Sequence, residues 1–198
     1  MTVAYQGEPG AYSEAAAYAH FGPDARARGH ATFGAAVGAV RSGEADAAVI
    51  PVRNSGTGAV ASGVAAVREG LAGGLLAGGE VVLPIAHALM AAPGVPPAAV
   101  RRVRSHPEAL RQCALWLARH LPRAAPQPGP ARAPDTAGAA REIARGHADA
   151  PGLWRDAAAI AHPAAAQRYG LAVLARGVAD DPDNATTFAV LVRPVAGS

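Results

Sequence analysis

The sequence contains no lysine, a single cysteine and few aromatic residues. All 18 basic residues are arginine, and only 5% of the 198 residues are Phe, Trp or Tyr. Without lysine the chain cannot form a Schiff base with a substrate or with pyridoxal phosphate, and it has no phosphate-loop lysine. Because Cys113 is the only cysteine, disulfide frameworks and cysteine-ligated zinc are excluded as well.

Long apolar runs and clustered metal ligands are also missing. No segment approaches the ~20 uninterrupted apolar residues that a membrane span needs, and residues 1–5 lack the basic start of a secretory leader. We therefore expect a cytoplasmic protein without a membrane partner. The seven histidines are dispersed, with no i, i+4 pair of the kind found in helical metal sites, so no metal is expected.

The positive charge of the chain does not form a nucleic-acid footprint. The net charge is only +3, and the arginines are scattered along the chain. The one dense group, residues 101–104, is short and has no aromatic residues interleaved. We therefore expect no nucleic-acid partner.

Short apolar runs alternate with alanine-rich helical segments. Runs at 2–6 and 47–52 predict buried strands, and segments 32–42 and 59–71 predict helices. This alternation is typical of an α/β fold with mostly parallel sheets. The 51% of hydrophobic residues is enough to form a core in a chain of this length.

The second half of the chain continues the alternation. The predicted elements are a strand over 102–104, a helix over 108–120, a proline-rich surface connection over 122–134, a helix over 135–144, a strand over 156–160, a helix over 162–169 and a strand over 171–178. Residues 73–79 are rich in glycine and predict a link, and Pro84 in the following run is typical of an edge strand or a crossover. We predict two α/β lobes, residues 1–78 with 175–198 and residues 79–174, with a ligand cleft between them.

Polar uncharged residues recur where predicted strands end and helices begin. Asn54 and Ser55 follow the strand over 47–52, while Thr186 and Thr187 stand where a polar loop meets the last apolar run. Ligands of α/β proteins commonly bind at strand ends. The plainer interpretation is that threonines at the start of a strand reflect β propensity.

Three further candidates lie at predicted helix starts and one lies within a helix. Ser13 is a candidate N-cap for a helix over 14–21, and Ser105 with Glu108 fits a capping box. Asp135 and Thr136 are predicted to cap the helix that follows them, and Gln112 lies on the second turn of its helix. Together with the strand-end residues, this set suits a hydrogen-bonding pocket for a small oxyanionic ligand, with no strong base.

The motifs, taken in order, closely resemble those of the prephenate dehydratase family and its arogenate dehydratase relatives. The matching segments span about the whole chain. They are Val3-Ala4-Tyr5-Gln6-Gly7, Pro9-Gly10-Ala11-Tyr12-Ser13-Glu14, Pro51 with Asn54-Ser55, Gly79-Glu80, Leu83-Pro84-Ile85-Ala86-His87, Ser105-His106-Pro107 with Ala109-Leu110 and Gln112-Cys113, Asp135-Thr136-Ala137-Gly138-Ala139-Ala140, Tyr169-Gly170-Leu171, and Asp183-Asn184 with Thr186 and Phe188.

The resemblance implies two α/β lobes like those of type 2 periplasmic binding proteins, with the substrate in the interlobe cleft. It also implies conversion of prephenate to phenylpyruvate, carbon dioxide and water, on the route to phenylalanine, by a homodimer without cofactor or metal. Formation of an aromatic ring drives this elimination. The alternatives are an arogenate dehydratase, a prephenate decarboxylase that keeps the hydroxyl, and a noncatalytic ligand-binding relative. Many members carry a C-terminal ACT domain that binds phenylalanine. None is expected in this sequence, so regulation by phenylalanine should be weak or absent.

The resemblance assigns roles to particular residues. The catalytic residues of the family fall on Asn54, Ser105, Gln112 and Thr186, of which Thr186 would donate a hydrogen bond to the departing hydroxyl. The expected substrate-binding residues are Ser13, Arg53, Ser55, Thr136, Thr187 and Phe188.

Two positions depart from the family pattern. The arginine of the Thr-Arg-Phe motif is Thr187, and the glutamate of the Pro-Ile-Glu-Asn motif is Arg53. The family's arginine and glutamate are both absent, and a new arginine, Arg53, stands at the position of the glutamate. We therefore expect Arg53 to replace the missing carboxylate-binding cation; the alternative is that Arg53 is a solvated surface residue and the change at Thr187 is tolerated.

Overall fold

The chain folds into two compact units, each with its own sheet. The structure, a computed structural model, describes residues 1–129 and 135–194. Unit 1 comprises Met1–Gly7, Tyr12–Pro84 and the chain from Asp183 onward, and unit 2 comprises Glu8–Ala11 and Ile85–Pro182. The expected α/β class with two lobes is confirmed.

Unit 1 contains a six-stranded sheet with helices on both faces. Its strands are β1 (Thr2–Gln6), β2 (Arg26–His30), β3 (Ala47–Asn54), β4 (Gly58–Ala59), β5 (Leu76–Pro84) and β11 (Ala185–Val192), and its helices are α1 (Tyr12–Phe21), α2 (Phe33–Ser42) and α3 (Ala61–Ala72). The strand order is β2-β1-β3-β11-β5, with β4 paired to β3. Strand β1 runs parallel to β2 and β3, whereas β11 runs antiparallel to both of its neighbours.

Unit 2 contains a five-stranded sheet. Its strands are β6 (Ala88–Ala91), β7 (Arg102–Ser105), β8 (Ala125–Pro128), β9 (Ala157–Ala161) and β10 (Ala172–Arg176), and its helices are α4 (Pro107–Gln112), α5 (Ala114–His120), α6 (Thr136–Asp149), α7 (Pro151–Trp154) and α8 (Pro163–Tyr169), with a 3-10 turn at Pro97–Ala99. The order is β10-β6-β9-β7-β8. Strand β7 is parallel to β8 and β9, and β6 is antiparallel to β9 and β10.

Both sheets are therefore mixed, and the prediction of mostly parallel sheets is wrong. The reason in unit 1 is the path of the chain. It leaves the sheet at Pro84 and returns at Ala185, and these two residues are paired neighbours. A strand that starts where its neighbour ends must run in the opposite direction, so β11 is antiparallel.

The predicted divisions at residues 78 and 174 differ from those in the structure. Residue 78 lies inside β5, which pairs with β11 along its length and belongs to unit 1. Residue 174 lies inside β10, which pairs with β6 in unit 2. Glycines at 78 and 79 resemble a link in sequence, but they occupy strand positions against β11, where Gly78 lies under Val192.

The core of unit 1 has two layers, one on each face of the sheet. Val49 and Phe188 pack with α1 on one face, and Ile50 and Leu191 pack with α2 and α3 on the other. Neighbouring residues of one strand belong to different layers because successive side chains of a strand point to opposite faces. Alanine and valine supply most of the remaining core, so helices and sheet approach closely.

Several elements depart from the sequence-based expectation. The predicted helix over 108–120 is broken at Cys113, because the Asp180 carboxylate accepts hydrogen bonds from the amides of Leu115 and Trp116 and thereby caps α5. Part of the proline-rich connection is β8, an edge strand, where proline's missing N–H is tolerated; residues 130–134 lie outside the described range. Helix α6 continues five residues beyond the predicted end, to Asp149.

Other expectations are confirmed. Strand β1 has the predicted bounds, and Gly170 ends α8 in the left-handed conformation with φ 67°. Strand β5, which ends in Pro84, is the edge strand of its sheet and the last element before the chain passes to unit 2. None of the helices in the described ranges is both long and apolar enough to cross a membrane.

Gly63 allows α3 to pack closely on β3, which gives a test of the fold. A Cβ at Gly63 would lie 1.9 Å from the carbonyl oxygen of Pro51, whereas a Cβ at Gly38 in α2 would meet no atom within 4 Å. We expect Gly63→Ala to lower the free energy of unfolding by about 2–3 kcal/mol or more, because the backbones must move apart. Gly38→Ala should raise it by about 0.5–1 kcal/mol. Urea denaturation of both variants measures this, and equal effects would contradict the packing described.

Candidate functional site

The carboxyl end of β3 and the start of β11 form a polar cluster in unit 1. The two strands are antiparallel, and their register pairs Asn54 with Thr186 and Arg53 with Thr187. Two segments far apart in sequence are thus brought side by side. Asn54 lies within β3 and not in the loop predicted for it, because the strand is longer than its apolar run. Thr186 lies at the start of β11, where the loop meets the strand, as predicted.

Asn54 is buried, and its amide nitrogen holds the start of β11. Its Nδ2 donates to Asn184 Oδ1 at 2.7 Å, to the Ala185 carbonyl at 3.1 Å and to Thr186 Oγ1 at 3.0 Å. The side chain is 7% exposed. Since buried polar groups are costly when unpaired, this set of bonds fixes the amide in one orientation.

The amide oxygen of Asn54 shapes the turn that follows β3. It accepts hydrogen bonds from the backbone N–H of Gly56 at 3.0 Å and of Thr57 at 3.1 Å, and from the Thr57 hydroxyl at 3.3 Å. This is an Asx-type turn, in which an asparagine side chain takes the place of a backbone carbonyl. Asn54 therefore joins the turn after β3 to the start of β11.

The hydroxyl of Thr186 has a defined hydrogen-bonding state. Its Oγ1 accepts the N–H of Asn54, and within the described residues its side chain makes no other hydrogen bond. A hydroxyl carries one proton and two lone pairs. Because one lone pair is occupied, the proton of Thr186 is left for donation to another acceptor.

Ser55 reinforces the same junction. Its hydroxyl accepts the N–H of Ala185 at 2.9 Å and donates to Asn184 Oδ1 at 3.4 Å, while its own N–H donates to the Ala185 carbonyl at 2.8 Å. Asn184 is therefore bonded to both Asn54 and Ser55. Asn184 belongs to the family motif around Asp183-Asn184, but nothing in the local sequence pattern indicated that Asn54 and Ser55 are its partners.

Two of the predicted binding residues of unit 1 have other environments. The Phe188 ring is only 1% exposed and packs in the core layer under α1, and its expected contact with substrate stays a prediction. Strand alternation explains this burial, because the side chain follows the apolar face of β11. Ser13 is the second residue of α1 and is buried, so its predicted N-cap position is wrong: the helix begins one residue before it.

Arg53 and Thr187 lie directly opposite each other on neighbouring strands. Because side chains alternate along a strand, they occupy the face opposite to that of Asn54 and Thr186. Arg53 is exposed and Thr187 is buried.

In unit 2, Ser105 is completely buried at the end of β7. Its hydroxyl donates to the Ile160 carbonyl at 2.6 Å, and the residue is 0% exposed. The predicted capping box is wrong, because His106 caps α4 instead, through Nδ1 accepting the N–H of Glu108 at 3.2 Å. Ser105 thus joins β7 to β9, and the proton of its hydroxyl is already used.

Gln112 is held between two side chains at the end of α4. Its Nε2 donates to Glu108 Oε1 at 3.0 Å, and its Oε1 lies 3.0 Å from His87 Nε2. His87 is 2% exposed, and this burial lowers the pKa of its imidazole, an effect that the hydrogen bond to Gln112 partly offsets. His87 ends the family motif that begins at Leu83. Its contact with Gln112 joins residues 25 positions apart, and no sequence pattern predicted it.

Thr136 is the buried first residue of α6. The N-cap of this helix is Asp135, whose two carboxylate oxygens accept the N–H of Gly138 at 2.8 Å and of Glu8 at 2.6 Å. Burial raises the pKa of Asp135, and these hydrogen bonds partly offset it. The predicted cap at the start of this helix is confirmed.

The site has few groups capable of strong acid–base or nucleophilic chemistry. Burial, with a smaller contribution from the charge of Asp180, raises the pKa of the Cys113 thiol to about 12, which excludes an accessible thiolate. The described residues contain no group of three or more His, Cys, Asp or Glu side chains that could hold a metal. Uncharged donors at strand ends and helix starts in α/β units are typical of the class of proteins that bind small molecules, and they would suit an oxyanionic one.

Comparison with known proteins identifies the family. The family model described as prephenate dehydratase matches residues 3–195, and the chain belongs to this family.

Relatives carry both names of the family. The chain is 42% identical over 196 residues to arogenate dehydratase 1 of Petunia hybrida, covering 98% of this chain but 42% of that protein. It is 35% identical to the prephenate dehydratase of Mycolicibacterium vanbaalenii, covering 97% of this chain and 62% of that one. The chain thus spans about two fifths of the plant relative and about three fifths of the bacterial one.

The fold has a solved counterpart in the same family. A prephenate dehydratase from Arthrobacter aurescens, solved in complex with L-Phe, is 36% identical and superposes with a TM-score of 0.85, covering 99% of this chain and 61% of that one. The prephenate dehydratase of Staphylococcus aureus shares the fold with a TM-score of 0.75 at 22% identity, covering 98% of this chain and 67% of that one.

The buried His87 predicts a pH dependence of stability. Its pKa is lowered in the folded protein, so the unfolded chain binds this proton more tightly. Between the lowered value and the ordinary value of about 6.5, the free energy of unfolding rises with pH and falls on acidification. We expect the melting temperature to fall between about pH 7 and about pH 5.5, and to fall less in His87→Gln.

The variant comparison removes His87 together with its smaller electrostatic effect on His162, while the other titrating groups stay in place. Burial lowers the pKa of His162 as well, which acts in the same direction, whereas the raised pKa of Asp135 acts in the opposite one. His120→Gln, at an exposed position, serves as the control and should keep the wild-type slope. An unchanged slope in His87→Gln would contradict the prediction.

Proposed function

We propose that this chain carries out the decarboxylating dehydration of prephenate to phenylpyruvate. In this reaction the ring carboxylate leaves as carbon dioxide, and its bonding electron pair enters the ring. The bond between the ring and the hydroxyl group breaks, and one proton converts the departing hydroxide to water. The ring becomes aromatic, so neither a strong base nor a cofactor is required. Membership of the family and the uncharged site both support this reaction.

The observation that carries the proposal is the bond between Asn54 and Thr186. Because Asn54 Nδ2 donates to Thr186 Oγ1 at 3.0 Å, the hydroxyl of Thr186 is oriented as a donor. A threonine hydroxyl is a weak acid, so it stabilises the developing negative charge on the leaving oxygen by a hydrogen bond and does not transfer a free proton in advance.

The other candidate residues divide into two kinds. Asn54, Ser55 and Ser105 have their polar groups bonded within the protein, so they act as positioning residues. Gln112 and Thr136 are the residues of unit 2 that bind carboxylate oxygens in this proposal. Thr136 begins α6, directly after the capping residue Asp135.

Substitutions of Thr186 test the reaction. Phenylpyruvate formation from prephenate should be detectable in the wild type, and Thr186→Val, which keeps the branched shape, should lower kcat about 100- to 1000-fold. Thr186→Ser keeps the hydroxyl and should stay within about tenfold of the wild type. Asn54→Asp should also lower kcat, because its carboxylate would accept the Thr186 proton instead of leaving it for the substrate.

The outcomes separate the competing functions. Turnover that survives in Thr186→Val would overturn the donor role. Loss of carbon dioxide with retention of the hydroxyl would indicate a decarboxylase, and binding of prephenate without product would indicate a noncatalytic relative. Melting temperatures of the variants distinguish loss of chemistry from loss of fold.

Arogenate is the second candidate substrate, because relatives at 40–42% identity are named arogenate dehydratases and some carry both names. Arogenate has an amino group where prephenate has a keto group. Comparing kcat/KM for the two substrates in the same preparation decides between them.

Arg53 is proposed as the replacement for the missing arginine at position 187. The two residues are direct cross-strand neighbours, so the positive charge is displaced by one strand spacing of roughly 4.8 Å. Arg53 is exposed. A guanidinium group binds carboxylates with paired hydrogen bonds, which suits a substrate with two carboxylates.

A charge swap tests this role. Arg53→Ala should raise KM for prephenate roughly tenfold or more, since a charged hydrogen bond is lost. Arg68→Ala, at an exposed position of α3, is the matched control and should leave KM unchanged. Arg53→Glu combined with Thr187→Arg restores the family pattern and should recover activity that Arg53→Glu alone loses. Unchanged turnover and affinity in Arg53→Ala would show that Arg53 is a surface residue.

The expected homodimer and cytoplasmic location stay predictions. The assignment of units 1 and 2 to the two lobes implied by the family resemblance also stays a prediction.

A further inference from the structure

The buried His87 is the partner of a residue that the proposed function uses. It lies directly before β6, is 2% exposed, and its backbone carbonyl accepts the N–H of Val178 at 3.1 Å. Its Nε2 is 3.0 Å from Gln112 Oε1. A side chain this enclosed has little freedom to turn away, so the contact constrains the orientation of Gln112.

The direction of each hydrogen bond follows from the chemistry of the partners. A carboxylate oxygen only accepts, so the Gln112 atom at Glu108 Oε1 must be its NH2 group. The carbonyl oxygen of Gln112 therefore faces His87. That oxygen also only accepts, so His87 must carry its proton on Nε2. Burial keeps the imidazole neutral near pH 7 by lowering its pKa, which leaves one proton to place.

The reversed orientation of Gln112 is unfavourable at Glu108. Turning the amide over would bring its oxygen against the Glu108 carboxylate, and His87 would have to move its proton from Nε2 to Nδ1 to accept from the NH2 group. Glu108 itself is held by an ion pair with Arg111. The amide of Gln112 thus has one favoured orientation, in which the carbonyl and one N–H are occupied and the second N–H is left as a donor.

We propose that His87 is a positioning residue that fixes the Gln112 amide so that an N–H, and not the carbonyl oxygen, meets a carboxylate of the substrate. This role rests on the proposed function, because it needs a substrate with a carboxylate at Gln112. His87 acts through Gln112 and does not touch the reacting atoms. A carbonyl oxygen in the same place would repel the carboxylate, so the orientation decides whether Gln112 favours or opposes binding.

A double-mutant cycle tests the role. His87→Phe replaces the imidazole with an apolar ring that has no N–H, and it should raise KM for prephenate roughly tenfold with a much smaller change in kcat. His87→Gln retains a donor at a similar distance and should stay close to the wild type. Gln112→Ala should show a similar rise in KM, and His87→Phe combined with Gln112→Ala should be no worse than Gln112→Ala alone.

A purely structural role predicts a different result. In that case the two losses would multiply in the double variant, and His87→Gln would be as damaging as His87→Phe. Either outcome overturns the proposal. If His87→Phe fails to fold, His87→Ala takes its place in the cycle, because it also removes the N–H.

A spectroscopic measurement keeps this inference separate from the proposed function. Nitrogen-15 spectra of the histidine rings in the protein without substrate should show His87 protonated on Nε2 near pH 7, and its ring shifts should change in Gln112→Ala. Protonation on Nδ1 would overturn the assigned orientation. If His87 has this tautomer but the wild type neither binds nor converts prephenate, the proposed function is wrong. The role of His87 at the substrate carboxylate is then wrong as well. An active wild type with multiplying losses would overturn the role of His87 alone.

Discussion

The amide of Asn54 holds the polar cluster of unit 1 together. Its nitrogen bonds to the start of β11 and its oxygen bonds to the turn after β3, so one buried side chain links two segments that are 130 residues apart in sequence. These segments meet because β11 runs antiparallel to β3, and β11 is antiparallel because the chain returns to the sheet where β5 left it. The orientation of the Thr186 hydroxyl depends on this whole arrangement.

Unit 2 uses a related device. There the amide of Gln112 is held by Glu108 on one side and His87 on the other, just as Thr186 is held by Asn54. In both cases a buried group occupies an accepting atom, and a donor is left over. In the proposed function, a site built in this way presents N–H and O–H groups to an anion. Such preorganised donors stabilise a negative charge that develops during a reaction, because they need not reorient when it forms.

The residues that resemblance assigned as catalytic therefore differ in how they can act. Ser105 and Asn54 are enclosed and fully engaged, whereas Gln112 and Thr186 each retain a proton for donation. The resemblance by itself does not separate residues that would position from residues that would bind. The hydrogen-bond partners make this separation, since a hydroxyl already donating to a backbone carbonyl cannot donate to a substrate at the same time.

The sequence by itself determined the fold class, the family and most strands and helices, because these depend on local patterns such as the apolar run of β3 and the cap at Asp135. It did not determine the direction of β11, the break between α4 and α5, or the burial of Phe188 and Ser105. Each of these depends on a contact between distant residues: the pairing of Ala185 with Pro84, the cap from Asp180, the layer under α1, and the bond to Ile160. Composition and periodicity record which face of an element is apolar, but not which other element covers it. Only the tertiary structure decided which hydrogen bonds are satisfied inside the protein, and thus which donors remain for a ligand.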